Sequence, residues 1–249
     1  MSDESSWDDD DRGQSLDCMR SYQFITENPR WMTTVLFITI CQFIPVIGPL
    51  AVMGYQFELA QSLLYGTATD GYPDFDFQKL VDYLKRGLWP FLAMLIVGLV
   101  LIVPAMFLGF GGMLALAAMA DAVGKEGEVI MMVGMIVMTA IWILFVIAIN
   151  LLAIPVQLRA GYSQDLATAL DLQFMKRFLS LVWKDLLLAT VFLMISSLVL
   201  AFVGMLMCFV GVYVMIAPIM LAQAHLIYYQ VYAIYLSRGG EPIPLKEAD

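Results

Sequence analysis

His225 is the only histidine of the chain, and it lies in an apolar stretch with Gln223 and Gln230 on either side and Tyr228 and Tyr229 close by. Polar groups inside a membrane face either protein or a water-filled path. Asn150 and Gln157 in a second apolar run, and Gln42 in a third, are the groups that could meet it. Asn150, Gln157, Gln223, His225 and Gln230 therefore form either a polar site near the bilayer midplane or a set of interhelical hydrogen bonds, each worth on average about 0.6 kcal/mol. A lone histidine makes no proton relay.

Other chemistry is scarcer. Asp74 and Asp76, in "DFD", fall short of a calcium loop, which needs roughly six to eight oxygens and a glycine at a set place. The chain has 18 methionines, with Met131, Met132, Met135 and Met138 in one run. Thioethers can bind copper(I), but among Ile and Val they also serve as adaptable packing. Gly109, Gly111 and Gly112 have no Gly-Lys-Ser after them, so they cradle no phosphate and fit a bend or turn. Cys18, Cys41 and Cys208 are scattered, without CxxC spacing. GxSxG, HExxH and any nucleophile–base pair are missing, so no catalytic residue, metal ligand or cofactor is expected, and the protein reads as non-enzymatic.

The elements that would position these residues follow from composition. Hydrophobic residues make up 61% of the 249 positions and charged residues only 14%, well away from a soluble domain. A hydrocarbon core about 30 Å thick takes roughly 20 helical residues. Uncharged runs of 27 residues (31–57), 34 (87–120), 30 (129–158) and 52 (186–237) provide one span each, and two for the last, which as one helix would reach about 78 Å. Five spans are expected, near 31–53, 89–108, 129–155, 186–207 and 210–236. Only helices satisfy their own backbone in lipid, and no barrel-like alternation is present. The fold class is an all-α polytopic transmembrane bundle. The start, "MSDESSWDDDDRGQS", is acidic where a signal peptide would be basic and then apolar; residues 1–20 are expected to be a disordered tail, 21–236 one membrane domain, and 237–249 a short polar tail.

Lys and Arg near span ends set orientation. Lys79, Lys85, Arg86, Arg159, Lys176, Arg177, Lys184, Arg238 and Lys246 can all face the cytoplasm, which leaves Arg12, Arg20, Arg30 and Lys125 outside: nine plus four of the 13 cations. The C-terminus is then cytoplasmic. The first span has two readings, because "IPVIGP" from Ile44 to Pro49 either kinks one helix or turns a re-entrant hairpin, and a hairpin puts the N-terminus inside. The net charge of −9 sits mostly in the tail and gives no sign of a nucleic-acid partner.

Two decapeptides nearly repeat: "GYQFELAQSL" from Gly54 and "GYSQDLATAL" from Gly161, 161 − 54 = 107 residues apart. Gly54, Tyr55 and Glu58 align with Gly161, Tyr162 and Asp165. Each copy follows an apolar span and precedes an amphipathic stretch that leads into another span, which reads as a parallel internal duplication, about 31–108 and 129–207, plus a final span. Tyr162, Leu166, Leu170, Phe174, Phe178 and Val182 recur every four residues, as in an interfacial amphipathic helix. The Gly-Tyr pairs are either interface anchors or part of a cytoplasmic platform for a lipid headgroup or a partner.

"NPRW" at Asn28–Trp31, "IPVIGPL", "GY" at Gly54 and "YPDFDFQKLVDYLKRGLWPF" from Tyr72 to Phe91 resemble the uncharacterised prokaryotic membrane family catalogued as domain of unknown function 4013. The likeness extends from about Asn28 to about Leu236 and leaves out the acidic tail. It implies a multi-pass protein of a prokaryotic inner membrane, and it brings no activity, cofactor or catalytic residue. The expected function is an accessory or scaffold subunit that engages a partner protein, a second copy or lipid through cytoplasmic amphipathic helices; the alternative is a small transporter or channel.

Overall fold

The computed structural model describes residues 15–66, 72–207 and 210–246. Every regular element among them is helical. Arg20–Gln23 (α1) runs into a 3₁₀ turn, followed by Trp31–Gln42 (α2), Ile47–Tyr65 (α3), Phe77–Val123 (α4), Gly127–Ser163 (α5), Leu166–Ala169 (α6), Leu172–Leu206 (α7) and Val210–Ser237 (α8). Four of these, α4, α5, α7 and α8, are long and apolar enough to cross a membrane. The chain is a multi-pass membrane protein.

The span expected at 31–53 is instead a hairpin, and the reason is local. Pro45 cannot donate a backbone hydrogen bond and biases Ile44 away from helix. Val46 then takes φ 66°, ψ −55°, the strained hand of the γ-turn, closed by Ile47 N–H donating to the Pro45 carbonyl at 2.8 Å. Gly48 fits under the turn, since a Cβ there would lie 1.7 Å from the Cys41 carbonyl oxygen. The two arms run antiparallel: Phe37 of α2 and Tyr55 of α3 both pack on Phe75, with ring centroids 6.3 and 5.1 Å away. At the tip, Phe43 stacks on Tyr213 near the start of α8 (4.7 Å).

The hairpin returns the N-terminal segment to the end of the bundle that holds the C-terminus. Asp17 and Gln230 exchange two hydrogen bonds, at 2.9 and 3.0 Å, Arg30 pairs with Asp74 at 3.2 Å, and Leu16 and Cys18 pack on the core. Residues 15–20, expected to be disordered, are thus bound; residues 1–14 of the expected tail lie outside the described residues. The C-terminal tail folds back as well, with Ile243 buried and its N–H donating to Tyr232.

α4 and α5 form one long hairpin, joined at Gly124 (φ 72°), that stands out from the rest. α4 carries Pro104 without breaking, because a wider π turn over Gly98–Ile102 directly precedes it and absorbs the lost hydrogen bond. The glycines expected at a bend, Gly109, Gly111 and Gly112, lie inside this continuous helix; a side chain on Gly112 would meet Met138, and one on Gly134 would meet Leu116. Between Ala93 and Ile149, among the residues whose burial is described, only Ala120 and Gly127, beside the turn, are buried. An apolar helix pair exposed on this scale belongs in lipid.

The expected amphipathic stretch after Gly161 is broken into pieces. α5 ends at Ser163, with Gln164 left-handed (φ 50°), and Asp165 and Asp171 start α6 and α7 as N-caps. Phe174, Phe178 and Val182 of the apolar stripe are buried against protein, with Phe178 4.9 Å from the Tyr235 ring. Lys176, Arg177, Ser180, Trp183 and Lys184 face outward instead.

Candidate polar site and the paired Gly-Tyr motifs

Of the five residues expected to form a polar cluster, the fold joins two. His225 is 5% exposed, lies flat on Phe24 at 4.2 Å, and has its Nδ1 3.2 Å from Gln230 Nε2. The same Gln230 holds Asp17, so the imidazole anchors the N-terminal segment to α8. Gln223 donates to the Tyr228 hydroxyl at 3.1 Å, Gln157 turns toward the Met53 sulfur, and Asn150 bonds back to the Val146 carbonyl of its own helix at 2.8 Å. Gln42 reaches the Met220 sulfur at 3.1 Å. Gln56, not marked by its sequence context, is buried and donates to the Met220 carbonyl at 2.6 Å. These amides tie neighbouring segments together pair by pair and do not converge on one point.

The Gly-Tyr motifs are packing devices, and they meet in space. Gly54 lets α3 touch α4: a Cβ on it would lie 1.9 Å from the Tyr83 carbonyl oxygen, and one on Gly87 2.0 Å from that of Leu50. Gly161 lies under the Phe57 ring, which would be 2.3 Å from an added Cβ. Phe57 in turn stacks on Tyr228 at 4.6 Å and meets Tyr162 edge-on at 5.6 Å. Neither tyrosine is an exposed anchor: both are buried, and their hydroxyls donate to carbonyls, Tyr55 to Pro73 at 2.7 Å and Tyr162 to Tyr228 at 3.0 Å. A buried phenol requires such an acceptor. The aligned carboxylates diverge in role, since Glu58 pairs with Lys79 at 3.3 Å and Asp165 caps α6 through the Ala167 N–H.

A second correspondence was legible but lies at a different offset. Asp76-Phe77-Gln78 and Asp171-Leu172-Gln173 each start a helix, the carboxylate accepting from the glutamine N–H at 2.8 Å in both. Seven residues after each aspartate stands a fully buried aromatic, Tyr83 and Phe178. The loop after the first Gly-Tyr copy is longer, so the caps fall out of the 107-residue register. Asp171 also accepts from Arg159 at 2.8 Å, and the Arg159 guanidinium covers the Phe174 ring at 4.7 Å. The Gln173 and Phe174 N–H groups, with Arg159, hold the Asp171 carboxyl below the usual carboxylate range. A depressed folded pKa means that the stabilisation is present above the unfolded value of about 3.9 and fades as pH falls through the folded one.

No group of three or more His, Cys, Asp or Glu side chains among the described residues could hold a metal ion. Met132 and Met135 are exposed on the part of α5 that follows the turn at Gly124, with Asp121 and Glu128 lining the same open groove.

No curated protein and no solved structure matches the chain. The sequence profile of the family described as "Protein of unknown function (DUF4013)" matches residues 37–209, a stretch that runs from the middle of α2 past the end of α7 and takes in both Gly-Tyr motifs and both aspartate caps, and the chain belongs to that family.

Proposed function

We propose that this is a non-enzymatic integral membrane protein, an accessory or scaffold subunit that engages lipid or a partner protein through the face bearing both ends of its chain. The observation that carries the reading is the outward stripe of α7, Lys176, Ser180, Trp183 and Lys184. It is held in place by the Asp171 cap, by Arg238 bonded to Asp185 and the Leu181 carbonyl, and by the buried Phe174 and Phe178 beneath it. α7 kinks at Val182, between Ser180 and Trp183, and a cationic, tryptophan-bearing stripe held by these contacts suits an anionic surface. The two aspartate-capped helices support a duplicated design in which α4 and α7 play corresponding parts, in the inner membrane of a prokaryote.

Photo-crosslinkers at Ser180 and Asp82, both exposed, test this in native membranes, whereas Asp171 is unsuitable because it caps α7. A discrete adduct, resolved by mass as lipid or protein, is expected at Ser180. Featureless labelling at both positions, equal to that at a lipid-facing control such as Ile136, would remove the support for a platform. A transport role is less well supported, because Asn150, Gln157 and His225 satisfy their bonds separately. Liposome flux that fell at least tenfold with both His225→Ala and Asn150→Leu would reverse that ranking.

A further inference from the structure

We propose that Arg86 is the binding site for a phosphate group, supplied by the headgroup of an anionic phospholipid; the proposal rests on reading this face of the bundle as lipid-engaging. Arg86 is the last charged residue of α4 before the uncharged run 87–120, which puts its guanidinium at headgroup level. The backbone beneath it is fixed by the contacts of Gly87 with Leu50 and Gly54. Its side chain is half-buried, yet among the described residues only Nη2 of its N–H donors finds an acceptor, the neutral Oε1 of Gln61, and the sealed Nε has none.

The other arginines of the described residues are provided for differently. Arg20, Arg30, Arg159, Arg177 and Arg238 each pair with a carboxylate, from Glu27, Asp74, Asp171, Glu241 and Asp185. Among the described residues Arg86 has no such partner. Glu58 is close enough for its charge to be felt, but it is bonded to Lys79. Two cations therefore share one carboxylate, and the exposed Lys85 and Asp82 of the same helix offset each other, so the Arg86 guanidinium has no carboxylate of its own among the described residues. A half-buried guanidinium without an anion is costly, and the Nη edge of its fork, where Nη2 meets only a neutral amide, matches the oxygens of a phosphate. A headgroup is the favoured source because it already resides at this depth, and Leu88, 40% exposed on the apolar side of Arg86, offers contact for the chain below it.

The test uses the full-length protein in nanodiscs of phosphatidylcholine with or without phosphatidylglycerol, read by native mass spectrometry and by thermal unfolding. Wild type is expected to retain one phosphatidylglycerol per chain and to unfold at a higher temperature when that lipid is present. Arg86→Gln is expected to weaken retention about tenfold. Gln61→Glu gives the guanidinium an internal carboxylate; it should fold as well as wild type in phosphatidylcholine and lose both the retention and the lipid-dependent shift. Equal retention by wild type and Gln61→Glu would overturn the site. Stabilisation of wild type by inorganic phosphate in pure phosphatidylcholine, without phosphatidylglycerol retention, would overturn the headgroup as the source. Loss of the Ser180 adduct would sink the platform alone, whereas an unchanged lipid count in the Arg86 variant beside an intact Ser180 adduct would sink this site alone.

Discussion

Gly54→Ala and Gly87→Ala are each expected to destabilise the protein by about 3 kcal/mol or more, at the upper end of what overpacking usually costs. The added methyl in either variant would fall about 2 Å from a backbone carbonyl of the facing helix, 1.9 Å at Tyr83 and 2.0 Å at Leu50. A flexible side chain could swing away from such a contact, but a helix carbonyl cannot, so α3 and α4 must separate. That separation would also loosen Tyr55, Phe75 and Tyr83, whose rings pack on one another at 5.1 to 5.7 Å across the same junction. Gly111→Ala is the control, since it lies in α4 with nothing near its missing side chain. It is expected to be stabilising by up to about 1 kcal/mol through helix propensity alone. Thermal or denaturant unfolding in one detergent compares all three, and similar stabilities for Gly54→Ala and Gly111→Ala would refute the close crossing.

The second large effect concerns topology and is all-or-none. On a background lacking Cys18, Cys41 and Cys208, an impermeant maleimide applied to intact cells is expected to label Glu126→Cys fully and to leave Thr26→Cys and Ser180→Cys unlabelled until the membrane is opened. All three positions are exposed. The α2–α3 hairpin moves Arg20 and Arg30 to the face that already holds the nine cations from Lys79 to Lys246, so 9 + 2 = 11 of the 12 Lys and Arg in the described residues share one face and only Lys125 lies at the other. An asymmetry this strong favours that face as cytoplasmic. Labelling of Thr26→Cys with protection of Ser180→Cys would restore a single first span, and labelling of both with protection of Glu126→Cys would invert the orientation.

Much of the architecture was legible one residue at a time. Uncharged runs longer than a bilayer needs force helices, because backbone amides in lipid must bond within their own segment, and α4, α5, α7 and α8 follow from that local requirement. The proline pair at Pro45 and Pro49 marked the place where the first run could turn. Whether it kinked or reversed depended on partners far along the chain: Gly48 under Cys41, Phe75 between Phe37 and Tyr55, and Tyr213 beneath Phe43. The candidate site divides in the same way. Periodicity found the stripe through Phe174, Phe178 and Val182, yet an apolar face fits lipid and protein equally well, and only the neighbouring Tyr235 determined that it points inward. Composition likewise found five polar residues in apolar runs, but a hydrogen bond is satisfied over about 3 Å, and sequence spacing sets which side chains share a helix level, not which partner they reach. Asn150 met its own helix, His225 met Phe24 from the far end of the chain, and Arg86 alone among the described arginines was left without a carboxylate.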